Sequence, residues 1–98
     1  MIEFKDRSIY GHKSGIYMIK NLKNNKVYVG KTQQPFYKRY QLHDWQLRQG
    51  RHDNKYLQRS YNKYGENNFV FTIVECADNW TDDEYNQKEI FYIAEYKQ

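Results

Sequence analysis

Gly15-Ile16-Tyr17-Met18-Ile19-Lys20-Asn21-Leu22-Lys23-Asn24-Asn25-Lys26-Val27-Tyr28-Val29-Gly30 decides the fold of this chain. Two runs of β-branched, aromatic and aliphatic residues flank the polar stretch Lys23-Asn24-Asn25-Lys26. That pattern predicts a β-hairpin. Asparagine tolerates positive φ, so an Asn-Asn pair suits a tight reversal. Side chains alternate across a strand, so Tyr17 and Tyr28 share one face of the hairpin if the register allows. Gly15 and Gly30 bracket the unit, where a backbone turns or approaches something closely. On pattern alone, an antiparallel hairpin with tyrosines for packing accounts for these residues.

The 98 residues make one domain with a small core. Eleven tyrosines lift the aromatic share to 18%, and each large ring adds buried area while keeping a polar tip. The single cysteine, Cys76, excludes an internal disulfide and fits a reducing compartment. Zinc spacing is absent too, because Cys76 has no cysteine partner and His12, His43 and His52 are scattered. The longest apolar run, Phe69–Val74, is far too short to span a bilayer, and no apolar signal core opens the chain. These features predict a soluble, cytoplasmic protein with no membrane partner.

Charge is unevenly distributed. Residues 1–65 hold 14 Lys+Arg against 4 Asp+Glu, a net of +10, whereas residues 66–98 carry a net of −6. A basic region beside an acidic one suits a polyanion surface next to a place for a cation. Tyrosines interleave with the positive charges from Tyr37 to Tyr64, a combination that suits nucleic acid better than a purely solvated dipole.

Beyond the hairpin, Pro35 presets a first helical turn and Gly50 stops it, which predicts a helix from about Pro35 to Gln49. Its apolar stripe is Phe36, Tyr40 and Leu47, with His43 inside it and Arg39 one turn before His43. Two donor groups facing inward call for an anion, although a core-facing histidine is also an ordinary packing residue. A second helix is predicted from Asn54 to Tyr64 with Gly65 as its stop, and Lys55, Arg59 and Lys63 recur along one face. Asn68–Cys76 reads as a strand. Thr81-Asp82-Asp83-Glu84 is a capping box that opens a last helix to about Tyr96. On that helix Glu89 lies among Tyr85, Tyr92, Ile93 and Tyr96. It either meets a cation in a pocket or reaches water at the stripe's margin. Residues 1–13 read as a short strand or as an arm laid over the core.

Gly15-Ile16-Tyr17, ten residues, then Tyr28-Val29-Gly30 resembles the signature of the GIY-YIG endonuclease superfamily. Arg39 follows nine residues after the second glycine, His43 four later, and Glu89-Ile90-Phe91-Tyr92-Ile93 lies on the C-terminal helix. Leu57-Gln58-Arg59-Ser60-Tyr61-Asn62-Lys63-Tyr64-Gly65 resembles the homing endonucleases of phage introns and free-standing phage genes. The resemblance covers about Lys13 to Tyr96. It leaves residues 1–12 as an N-terminal extension before a nuclease domain over 13–98.

The resemblance implies a small α/β sandwich of the α+β type: a central three-stranded antiparallel sheet flanked by helices, in the order β-β-α-α-β-α. It implies metal-dependent hydrolysis of a phosphodiester in duplex DNA, leaving a 5′-phosphate and a 3′-hydroxyl. Tyr17 is implied near the attacking water as a candidate general base, and Tyr28 as a hydrogen-bonding partner in the site. Lys31 and His43 complete the set, with Arg39 on the scissile phosphate. Glu89 is implied as the one carboxylate on a single Mg²⁺ or Mn²⁺, which resolves its two readings in favour of the pocket. Contact with DNA is expected from Lys31, Arg39, His52, Lys55, Arg59 and Lys63. A tyrosine is a weak base near its ordinary pKa of ~10, so the reading requires cations beside Tyr17, supplied by Lys31, Arg39 and the metal. A further strand with a Tyr-Asn pair and a downstream DNA-binding region belong to the family pattern and do not appear in this sequence; without the DNA-binding region, low sequence specificity is expected, and separately a monomer is the favoured state. The competing readings are a DNA-binding module of the same fold without turnover, and a protein-interaction domain with a tyrosine-rich surface.

Overall fold

The computed structural model describes residues 1–96, so the last two residues of the expected 13–98 span lie outside the described residues. The hairpin forms as β1 (Gly15–Asn21) and β2 (Val27–Thr32), joined antiparallel in the register Tyr17↔Gly30 and Ile19↔Tyr28. Because Tyr28 faces Ile19, and Ile19 is two residues from Tyr17, both tyrosines project from one face. Asn25 takes φ 62° at the reversal, as an asparagine tolerates, and Asn21 and Asn24 accept main-chain N–H bonds across it. β3 (Phe69–Cys76) pairs antiparallel with β1, giving the order β2-β1-β3. A bulge between Ile16 and Tyr17 brings Glu75 opposite Ile16.

The two bracketing glycines answer to close approach. A Cβ on Gly15, at φ 141°, would collide with the Glu75 carbonyl oxygen. A Cβ on Gly30 would collide with the Tyr17 ring and hydroxyl, so the hairpin closes over Tyr17 only with glycine there.

The four-residue α1 (Arg7–Tyr10) precedes the hairpin. After it come α2 (Phe36–Arg48) and α3 (Lys55–Tyr64), then a 3₁₀ turn (Glu66–Asn68), β3 and α4 (Asp82–Glu95). Asn54 caps α3 through the Leu57 N–H, and Gly65 leaves it at φ 84°. Thr81 and Glu84 cap α4 reciprocally. Phe36, Tyr40, Leu47 and Leu57 pack with Tyr17, Ile19, Phe69 and Phe71 on the Tyr17 face of the sheet. α4 packs on β2 and β1. Its Tyr85 hydroxyl bonds Ser14 Oγ, and its Tyr92 hydroxyl and Lys88 ammonium hold Glu75 on the Ile16 face. No helix among the described residues is long and apolar enough to cross a membrane.

Residues 1–4 form an arm over the same core. Ile2 and Phe4 are buried, and Phe4 packs on Tyr40 and Phe71. The Glu3 carbonyl accepts from the Phe71 N–H, and Glu3 bridges Val70 in parallel at the β3 edge. Asp44 on α2 is fully buried and accepts from the Ile2 N–H and from Arg48 Nε, each at 2.9 Å. An unpaired carboxylate there would be costly, so the arm is part of what keeps Asp44 satisfied.

Candidate active site

Four elements, β1, β2, α2 and α4, deliver the site residues. Tyr17 comes from the middle of β1, where it is 1% exposed and stacks on Phe71 at 4.8 Å. Tyr28 on β2 is half-buried and sets its ring edge-on to His43 and His52. Arg39 and His43 stand one turn apart on α2, at the helix's inward stripe. Glu89 is half-buried on α4. Its carboxylate adds a small electrostatic effect on Tyr17, Tyr28 and Arg39, weaker than that of burial.

A chain of hydrogen bonds runs inward from Tyr17. Its hydroxyl is 2.6 Å from His43 Nε2, and His43 Nδ1 is 2.7 Å from His52 Nε2. The Asn54 main-chain N–H donates to His52 Nδ1 at 3.0 Å. The His52 main-chain N–H donates to Gln58 Oε1, and Gln58 Nε2 donates to the Leu47 carbonyl. Gln58 thereby ties the loop after α2 to α3.

Burial dominates the electrostatics. It pushes the Tyr17 hydroxyl up to about 12, with the Arg39 guanidinium beside it pulling the other way and Tyr28 and Glu89 adding to the rise. Tyr28 is raised for the same first reason. Burial, then His52 and Arg39, holds the His43 ring neutral down to about 3. His52 is also lowered, chiefly by burial. Arg39 Nε is buried and finds no hydrogen-bond partner among the described residues. Asn21 Nδ2 is a second buried donor without a partner, but the guanidinium nitrogen carries charge and is the stronger donor for an anionic acceptor.

Several residues expected at the site lie elsewhere or in other company. Lys31 is opposite Ile16 in the β1–β2 register, so strand alternation turns it to the face away from Tyr17. Its ammonium bonds Asn86 Oδ1 on α4, and it meets Arg39 only along a cleft of about 210 Å³. Arg39 is thus the cation that acts on Tyr17, and burial outweighs it. His52, expected against DNA, is 2% exposed and bonded to His43, one step further from Tyr17 along the hydrogen-bond chain. Lys55, Arg59 and Lys63 remain exposed on α3. Arg59 lies over the Tyr56 ring and Lys63 over the Tyr64 ring, 5.1 and 5.2 Å from the centroids. Asn54 and Gln58, which hold His52, carried no chemical signal beyond a helix start and a polar helix position.

One carboxylate fits a divalent cation here. Among the described residues Glu89 makes no ion pair, and no group of three or more His, Cys, Asp or Glu gathers to bind a metal. A single hard oxygen donor suits Mg²⁺, which keeps most of its waters and takes few protein ligands.

Comparison with known proteins identifies the family to which the chain belongs. A family model described as the GIY-YIG catalytic domain matches residues 13–98. The chain is 46% identical over 83 residues to intron-associated endonuclease 1 of Enterobacteria phage T4, a match covering 85% of this chain and 33% of that protein. It therefore spans about a third of the length of that curated relative. Among solved structures, the catalytic domain of homing endonuclease I-TevI superposes with a TM-score of 0.79 at 44% identity, covering 86% of this chain and 88% of that one. A glutamate-to-alanine mutant of that catalytic domain gives a TM-score of 0.78 at 44% identity, over 86% and 84% of the two chains. With a match that runs from the residue before Ser14 to the end of the chain, this protein belongs to the GIY-YIG family of catalytic domains.

Proposed function

We propose that this chain is the catalytic domain of a homing-type endonuclease that hydrolyses phosphodiester bonds in duplex DNA with one Mg²⁺ or Mn²⁺ ion. The observation that carries the reading is the convergence of Tyr17, Tyr28, Arg39 and Glu89, with the buried Arg39 Nε unpartnered. A water oxygen bonds to phosphorus as the P–O3′ bond breaks, leaving a 5′-phosphate and a 3′-hydroxyl.

Negative charge gathers on the non-bridging oxygens during this attack. Arg39 is a permanent cation with a planar fork for them, and its free Nε is the donor it has to spare. Tyr17 orients the water through its hydroxyl. It takes the water's proton only as a phenolate, and with burial pushing it to about 12, about one molecule in 10⁵ is ionised at pH 7. Arg39 works against that burial, and Tyr28 bounds the pocket with a second hydroxyl. Glu89 would hold the divalent cation, which when bound supplies positive charge beside the phosphate.

The DNA side of the reading rests on surface chemistry. A groove of about 730 Å³ reaches from Tyr28 to the exposed face of α3, with Lys26, Arg59 and Lys63 at its margin and Tyr56 and Tyr64 among them. Cations interleaved with aromatic faces suit a nucleic-acid backbone and its bases. Supercoiled plasmid tests the proposal. Nicks that form with Mg²⁺, vanish with EDTA and reseal with DNA ligase support it. Plasmid that is bound and left intact in Mg²⁺ or Mn²⁺ overturns it in favour of a binding module without turnover.

A further inference from the structure

The hydrogen-bond chain behind Tyr17 has a direction, and a main-chain group sets it. The Asn54 N–H points at His52 Nδ1 from 3.0 Å. An amide N–H only donates, so Nδ1 must offer a lone pair and the proton of the His52 ring sits on Nε2. His52 Nε2 is 2.7 Å from His43 Nδ1, and with the proton on the His52 side His43 Nδ1 accepts. The proton of the His43 ring then sits on Nε2, 2.6 Å from the Tyr17 oxygen. His43 is the donor in that last bond.

We propose that His52, held by the Asn54 N–H, is a positioning residue that makes His43 a donor to the Tyr17 oxygen, leaving the proton of Tyr17 to point out towards the reacting water and phosphate. The opposite direction would need a proton on His52 Nδ1, directly against the Asn54 N–H. An imidazolium at either position meets the same clash, because it forces a proton onto His52 Nδ1 or sets two N–H groups against each other between the rings. His43 is therefore no acceptor for the Tyr17 proton. It braces the phenol oxygen, and any proton leaving Tyr17 leaves on the substrate side. Gln58 keeps the device in register, because it bonds the His52 main-chain N–H and the last turn of α2 together.

What faces Tyr17 on its outer side rests on the nuclease reading. The direction of the chain does not. Long-range ¹H–¹⁵N correlation on the ¹⁵N-labelled full chain at pH 7, without metal or DNA, reads which ring nitrogen carries each proton. The expected result is Nε2–H in both His43 and His52. An Nδ1–H ring, or an imidazolium, at either position overturns the proposal whether or not the protein cuts DNA. In cleavage, His52→Leu loses about a hundredfold in kcat with KM unchanged, since a small misplacement of a reacting group costs that much. His52→Gln presents an amide oxygen to Asn54 and an N–H to His43, and is expected to restore turnover and the His43 Nε2–H signal together. A Gln variant as impaired as the Leu variant, with the His43 signal restored, overturns the positioning role. A wild type that binds but does not cut removes the nuclease reading and leaves the spectra to decide the direction.

Discussion

Acidifying this protein from pH 7 to pH 5 should destabilise it, and the size of the effect follows from one buried ring. His43 is 4% exposed between Tyr17, Tyr28 and His52, and its ring stays neutral in the folded chain down to about 3. In the unfolded chain the same ring takes up a proton near its ordinary value of 6.5. Between those two values only the unfolded chain binds the proton. The stability tied to His43 is fully present above 6.5 and is lost as pH falls through that window. Linkage puts the loss from pH 7 to pH 5 at about 2 kcal/mol, a drop of roughly 10 °C in Tm for a domain of this size. His52 is lowered too and adds in the same direction. Glu75, held low by Tyr92 and then Lys88, contributes only further down, through the carboxylate range. Urea melts followed by circular dichroism at pH 7, 6 and 5 measure the slope, and His43→Gln removes the ring that carries it. The variant should be less stable at pH 7 and should lose about 2 kcal/mol less than wild type on acidification. A wild type equally stable at both pH values, or a variant with an unchanged slope, refutes the reasoning.

Gly30→Ala pushes a methyl group into the Tyr17 ring and hydroxyl, so it should cost about 1–3 kcal/mol and remove most cleavage at a temperature where the variant is still folded. Thermal melts and plasmid nicking on the same sample check both parts. Replacing Lys55, Arg59 and Lys63 together by Gln should lower the slope of log affinity against log salt by about 0.9 per lost phosphate contact while leaving Tm nearly unchanged; filter binding across a salt series reads it. Phe4→Ala opens a hole beside Tyr40 and Phe71 and should cost about 3 kcal/mol in urea melts, as expected of a residue that is part of the core.

The hairpin, the three long helices and β3 were legible because each carries its own local pattern. Asn24-Asn25 marked the turn, Pro35 and Gly50 bounded α2, and Thr81 with Glu84 announced α4. The sharing of a face by Tyr17 and Tyr28 needed only the register, and a two-residue alternation supplied it once Ile19↔Tyr28 was set. Long-range pairings carried no such mark. Nothing local says that Ile2 closes over Asp44, or that Glu3 extends the sheet beside Val70, because those contacts join residues distant in sequence. The same limit explains His52. A polar residue in a polar loop reads as surface, and only the fold of that loop onto Gln58 buries it. Lys31 misled by adjacency: it follows Gly30, yet alternation sends its side chain through the other face of the sheet. The ionisation of Tyr17 depends on desolvation, which three-dimensional burial sets and cationic neighbours in the sequence do not reveal.

The central claim is that Glu89 and Arg39, brought together with Tyr17 and Tyr28, make one hydrolytic centre. Single-turnover cleavage of supercoiled plasmid by wild type and by Glu89→Gln, with DNA binding measured on the same preparations, tests it most directly. The account predicts equal or slightly tighter binding by the variant and cleavage reduced by about 10³-fold or more, the scale of losing a main electrostatic element of a site. Metal-dependent cleavage by Glu89→Gln at the wild-type rate would contradict it.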